Sequence, residues 1–170
     1  MAVYKETLKL MSSGNRPTYH EITAEVRAIV ERSGIRNGSV LVQSQHTTSS
    51  ILFEEFVHDI DYNGYEFLQI DLNRILDRLI PPETTENMEY KYPGPAHTAF
   101  AKAYEGPEKG DMRMILNADS HLRGSLFGAS ETFVVEDGAI LTGSFGYIYF
   151  VDWDRHVVRE RKCHVLVMGE

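Results

Sequence analysis

Two stretches of the sequence gather side chains able to do chemistry. One is His46-Thr47-Thr48-Ser49-Ser50, an imidazole followed by four hydroxyls. A histidine at a strand end can be aimed into a pocket while neighbouring hydroxyls and backbone amides offer donors to an oxyanion. The other is Asn117-Ala118-Asp119-Ser120-His121-Leu122-Arg123-Gly124-Ser125. It packs an acid, an imidazole, a guanidinium and hydroxyls together, suiting a metal ligand with a carboxylate neighbour and phosphate-binding donors. Asp119 and His121 stand two apart, so on a strand they would share a face.

A third imidazole, His97, lies in the segment Tyr92-Pro93-Gly94-Pro95-Ala96-His97. Neutral imidazoles are good zinc ligands, and a catalytic zinc takes three protein ligands plus water. Three histidines from three separate segments could form such a site. His20, His58, His156 and His164 have no polar constellation around them and read as surface or packing residues. Glu54 and Glu55 follow an apolar run; one of them can serve as a base or stand solvated at a strand end. Arg159 and Arg161 alternate near the C-terminus, where they can pair with phosphate or simply line an outer sheet face. The single cysteine, Cys163, sits in an alternating apolar segment and reads as a buried, inert thiol.

Several common sites are missing. No G-x-G-x-x-G follows a strand, no Walker-type loop occurs, and there is no G-x-S-x-G elbow. The formal net charge of −8 argues against a nucleic-acid surface, although a small phosphorylated ligand held by local donors stays open. No stretch approaches the ~20 apolar residues of a membrane span. The N-terminus lacks the apolar centre of a signal peptide, which places the protein in the cytoplasm.

The elements that must position these residues alternate between the two periods. At 170 residues, 42% hydrophobic and 25% charged, the chain suits one globular domain over 1–170. Residues 2–11 alternate as a strand. Thr18 and Glu21 form a capping-box pattern ahead of Ile22, Val26, Ile29 and Val30, which predicts a first helix over roughly 19–33, stopped by Gly34. A β run over 39–45 delivers His46, and Ile51-Leu52-Phe53 resumes a strand. A second helix runs from about Tyr62 to Leu79, ended by Pro81-Pro82. Residues 83–111 are irregular, with a possible short helix over 97–104; a loop of that length is more often functional than idle. The final third reads as strands over 131–136, 139–153 and 157–168, the first two joined by an Asp137-Gly138 hairpin turn. Antiparallel strands with two main helices set apart from them make an α+β protein.

Taken together and in order, these motifs resemble the YjbQ-type family, also called the secondary thiamine-phosphate synthase family. They are His46–Ser50, Asp119–Ser125, Val135-Glu136-Asp137-Gly138 and the following Gly143-Ser144-Phe145. The resemblance spans nearly the whole chain. It implies a mostly antiparallel, β-sandwich-like α+β fold, a homotrimer with sites near subunit interfaces, and a histidine metal site. Carried over by position, the metal ligands are His46, His121 and, less directly, His97. Zinc is the expected divalent metal, with magnesium possible alongside substrate. Glu55 and Asp119 become catalytic candidates, and Thr47, Thr48, Arg123 and Ser125 candidates for holding phosphate. The resemblance implies formation of thiamine phosphate from a pyrimidine diphosphate and a thiazole phosphate. A metal-dependent hydrolase or lyase of another small phosphorylated metabolite, or a non-catalytic metal- or metabolite-binding protein, are the alternatives. Two departures stand out: Glu54 replaces the family's asparagine beside Glu55, and Gly143-Ser144-Phe145-Gly146 replaces Gly-Thr-Trp-Gln.

Overall fold

A computed structural model describes residues 1–84, 89–105 and 112–170. Among the described residues, eight strands and four α-helices follow one another as β1 (Ala2–Met11), β2 (Thr18–Glu21), α1 (Thr23–Ser33), β3 (Gly38–Ser44), β4 (Ser49–Glu55), α2 (Phe67–Leu79), α3 (Gly94–Glu105), α4 (Ala118–Phe127), β5 (Ser130–Glu136), β6 (Ala139–Ile140), β7 (Gly146–Asp152) and β8 (Glu160–Gly169). A 3-10 turn, Met112–Ile115, precedes α4. The strands form two sheets, one of five in the order β1-β8-β3-β5-β6 and one of three in the order β2-β7-β4. Every pairing is antiparallel. The expected α+β class and antiparallel sheets are both present.

Alternation explains the larger sheet. Arg161, Cys163, Val165 and Val167 of β8 point inward beside Val40 and Val42 of β3, while the intervening residues stay more open. Val26, Ile29 and Val30 of α1 complete this core together with Ile51, Ile148 and Phe150 of the smaller sheet. β7 breaks the alternation because both its faces are covered. Ile148 and Phe150 enter the main core, whereas Tyr149 and Val151 enter a second one with Leu52, Trp153 and Leu76 of α2. Such a strand reads as a continuous apolar run. In the second core, Trp153 Nε1 donates to Ser50 Oγ at 2.9 Å, so the indole's only polar atom is satisfied inside.

Several boundaries differ from the sequence expectations, each for a physical reason. Thr18–Glu21 does not cap a helix: it pairs with β7 as β2. Thr18 Oγ1 instead accepts the Ser13 amide, and the Glu21 carboxylate accepts the Thr23 amide where α1 actually starts. Strand pairing here outweighs a local capping preference. The second helix opens at Phe67 rather than Tyr62, because Asp61 Oδ1 accepts the amides of Asn63 and Tyr65 and folds 61–65 into a turn. The single strand expected over 139–153 is two strands in different sheets. Residues 141–145 turn between them, with Gly143 at φ +68°. The hairpin at Asp137-Gly138 forms as expected, both residues at positive φ. The irregular segment over 83–111 contains a full helix, α3; residues 85–88 and 106–111 of it lie outside the described residues.

Glu54 on β4 faces the second core, with Tyr147 opposite it on β7. Burial, reinforced by the Glu66 carboxylate, pushes its carboxyl up to about 7. A carboxyl raised in the folded state holds its proton more tightly than in the unfolded chain. Stability therefore falls as pH climbs from the ordinary 4.5 through about 7. Glu54→Gln should match the wild type in thermal unfolding near pH 4.5. Above pH ~7 it should unfold a few degrees higher, about 1 kcal/mol once solvent screening of this half-buried group is allowed for. An equal shift at both pH values would reject the assignment.

Candidate functional site

The turn after β3 is built around its own hydroxyls. Ser44 and Ser49, both buried, are hydrogen-bonded to each other at 2.5 Å. Ser44 Oγ also accepts the His46 amide, and Ser49 Oγ donates to the His46 carbonyl. Ser50 is taken by Trp153, and Thr48 Oγ1 accepts Arg161 Nη2 at 3.1 Å. The hydroxyl block expected to face an oxyanion therefore mainly fixes the turn; Thr47 is the hydroxyl left exposed.

α4 packs directly onto this turn. A Cβ at Gly124 would lie 2.5 Å from the Thr47 carbonyl oxygen, so only glycine permits the approach. The contact brings His121 of α4 onto the pocket that His46 lines. α3 supplies the facing wall: His97, Phe100, Ala101 and Tyr104 recur at helical spacing and face the same space. All three nominated histidines thus line one open pocket of about 600 Å³, together with Thr47, Thr48, Arg159 and Arg161. Tyr92 stands between two of the imidazoles. Its hydroxyl lies 3.1 Å from His97 Nε2, and its ring meets that of His121 edge-on at 5.4 Å between centroids.

The charges behind the pocket are layered. Arg161 is locked by Asp152, Nε to Oδ2 at 2.7 Å and Nη2 to Oδ1 at 2.9 Å. Arg159 is looser, 3.6 Å from Asp154 and 30% exposed at its side chain, which leaves it the guanidinium available to a ligand. Burial, with the charges of Arg161 and Arg159 beside it, holds the His46 ring below the ordinary histidine value. Burial also lowers His121, and the Asp154 carboxylate only partly opposes it. Burial raises the Tyr92 phenol, which stays a neutral donor.

The three imidazoles line the pocket without closing around a single point. Among the described residues, no three His, Cys, Asp or Glu side chains come together so as to hold one. His46 Nε2 already accepts the Lys162 amide at 2.9 Å, capping β8 where β3 ends, which places the neutral ring's proton on Nδ1.

Other nominated residues lie elsewhere. Asp119 and His121 sit on a helix rather than a strand, where two residues subtend about 200° and face opposite ways. Asp119 is wholly buried, with Arg155 Nε 3.6 Å from its carboxylate. Arg123 is also wholly buried and donates to Asp77 Oδ1 at 2.7 Å and to the Ile80 carbonyl, away from the pocket. Ser125 is exposed on α4, and Glu55 is exposed at the end of β4 opposite Gly146. The arginines that do line the pocket are the alternating pair that the sequence left open. Tyr92, Phe100 and Tyr104 were missed altogether. For Phe100 and Tyr104 the signal was the 97, 100, 101, 104 spacing inside the short helix expected there; Tyr92, ahead of that helix, had no such periodicity to mark it.

Comparison with known proteins agrees with this fold. Residues 6–170 match the family model described as UPF0047 protein YjbQ-like. A UPF0047 protein of Methanothermobacter thermautotrophicus is 31% identical over 170 residues, covering all of this chain and 95% of its own length. The UPF0047 protein YugU of Bacillus subtilis is 27% identical over 164 residues, covering 96% of this chain and 98% of its own. Among solved structures, a YbjQ-like protein of unknown function from Sulfolobus solfataricus superposes with a TM-score of 0.71 at 24% identity, covering 99% of both chains. A YjbQ/UPF0047 protein from Clostridium acetobutylicum gives 0.67 at 24% identity, over 96% of this chain and 99% of that one. No helix among the described residues is long and apolar enough to cross a membrane. With a family model matched from residue 6 to residue 170, this chain belongs to the YjbQ (UPF0047) family.

Proposed function

We propose that the histidine pocket binds a small phosphorylated metabolite and acts on it by proton transfer at His121. The observation that carries this reading is the convergence of His46, His97 and His121, from three separate segments, on one pocket that also contains Arg159. A neutral imidazole within reach of a bound molecule suits general acid–base catalysis. The less committed guanidinium of Arg159 suits phosphate oxygens, and the exposed Thr47 lines the same pocket. Arg161, fixed by Asp152, contributes its field rather than a free fork of donors.

Formation of thiamine phosphate is the specific case favoured by the family resemblance. There, the thiazole nitrogen forms its bond to the pyrimidine's methylene carbon as that carbon's bond to the pyrophosphate oxygen breaks; Arg159 and Thr47 would receive the departing pyrophosphate as its charge develops, and the His121 N–H would donate to its bridging oxygen. The test is to incubate purified protein with the pyrimidine diphosphate and thiazole phosphate, and to follow thiamine phosphate and pyrophosphate by mass spectrometry and phosphorus NMR. His121→Ala should lower turnover about 100-fold or more, and Arg159→Ala should weaken binding of inorganic pyrophosphate. Turnover equal in wild type and His121→Ala, with pyrophosphate binding indifferent to Arg159, would discard the reading.

A further inference from the structure

A smaller hollow of about 240 Å³, almost wholly apolar, lies against α4 beside the histidine pocket. Tyr90, Tyr92, Ala118 and Leu122 wall it, with Lys91 and His121 completing the lining. Tyr92 and His121 line both spaces, so the two meet across that pair of rings. Its walls are held firmly. The Tyr90 hydroxyl donates to the Pro81 carbonyl at 2.5 Å, and the Ala118 amide donates to the buried Glu83 carboxylate at 2.6 Å. The small side chain of Ala118, 5% exposed, leaves the room, and Leu122 holds an apolar side chain 46% exposed at the rim.

On the reading that the histidine pocket takes a phosphorylated group, we infer that the ligand is bipartite. Its anionic head lies by Arg159, and a compact apolar group seats in the hollow between Tyr90, Ala118 and Leu122. Because Tyr92 and His121 line both spaces, the hollow adjoins the histidine pocket at those two rings, where one ligand would reach over them from pocket to hollow. An apolar cavity of about 150 Å³ already accepts a benzene-sized guest, so this one takes a ring or a short branched chain. The bond joining the two parts then passes His121, where a proton can be delivered or removed.

Calorimetric titration of the full chain with inorganic phosphate, methyl phosphate and phenyl phosphate tests this. Phenyl phosphate should bind about tenfold more tightly than methyl phosphate, since burying the ring removes apolar surface from water. The preference should fall below about threefold both in Leu122→Glu, at an exposed rim position, and in Ala118→Leu, which fills the hollow. Equal affinity for the two esters in the wild type overturns the inference. So does a preference that survives both variants but disappears in Phe100→Ala, which assigns it to the α3 wall. If no phosphate binds and Arg159→Ala changes nothing, the histidine-pocket reading falls as well. Methyl phosphate binding without a phenyl preference removes the apolar subsite alone.

Discussion

Gly124→Ala should lower the melting temperature by up to about 8 °C and, on the function proposed above, weaken phosphate binding, although it places a better helix former in the middle of α4. The direction is what makes this result informative. On helix propensity alone, alanine would stabilise by about 1 kcal/mol. The added Cβ, however, would meet the Thr47 carbonyl oxygen at 2.5 Å and the Thr47 carbonyl carbon at 3.3 Å. Those are backbone atoms of a turn clamped by Ser44 and Ser49, so no flexible side chain can swing away. Overpacking of this kind costs roughly 1–3 kcal/mol. Relief comes from prising α4 off the turn, which separates His121 from His46 and Thr47. Thermal unfolding and titration with inorganic pyrophosphate read the two effects together. A variant more stable than wild type, with unchanged affinity, would show that α4 does not press on the turn.

Asp77→Ala should cost roughly 2–4 kcal/mol in denaturant unfolding, a large share of the stability of an ordinary domain. Asp77 Oδ1 accepts Arg123 Nη2 at 2.7 Å and Arg155 Nη2 at 2.8 Å. Arg123 has no exposed side-chain surface, and without Asp77 its charge is left with the Ile80 carbonyl as its hydrogen-bond acceptor among the described residues. The estimate sits below the ~3–5 kcal/mol of fully enclosed pairs because the Asp77 side chain is 42% exposed. Burial works to raise the Asp77 carboxyl, but the two guanidiniums more than offset it and hold it below the ordinary carboxylate value. A depressed folded value means that the contribution is complete above about pH 4 and fades as pH falls further. Adding Arg123→Met to Asp77→Ala should recover part of the loss, since it removes the stranded charge. A loss under about 1 kcal/mol, or no recovery in the double variant, would place the weight of the α2–α4 contact elsewhere.

The parts of the fold that were legible in the sequence are those whose buried face is apolar. The β1 alternation, the β3 run to His46 and the Val26-Ile29-Val30 stripe of α1 all sit where their periodicity implies. α4 hid because its amphipathicity is inverted. Its buried face is Ala118, Asp119, Ser120, Arg123 and Gly124, while Leu122 and Leu126 point outward. A reader of hydrophobic periodicity finds no helix there, and so assigns Asp119 and Arg123 to an open site rather than to the seam under α4. The same limit governs the pocket. Sequence order could nominate His46, His97 and His121, but Arg159 and Arg161 join them only through the pairing of β8 with β3. Nothing local distinguishes those arginines from an ordinary solvated pair.

The contact between Trp153 and Ser50 ties together two positions 103 apart in the chain. Both residues are fully buried, and each is the other's hydrogen-bond partner in that core. Exchanging the indole for a benzyl ring strands the serine hydroxyl, and removing the hydroxyl strands the indole N–H; the double change avoids both stranded groups and is left with the cost of the cavity alone. Drift through this family should therefore pass from tryptophan with serine to phenylalanine with alanine in linked steps, leaving a statistical signature between the two columns that owes nothing to the reaction.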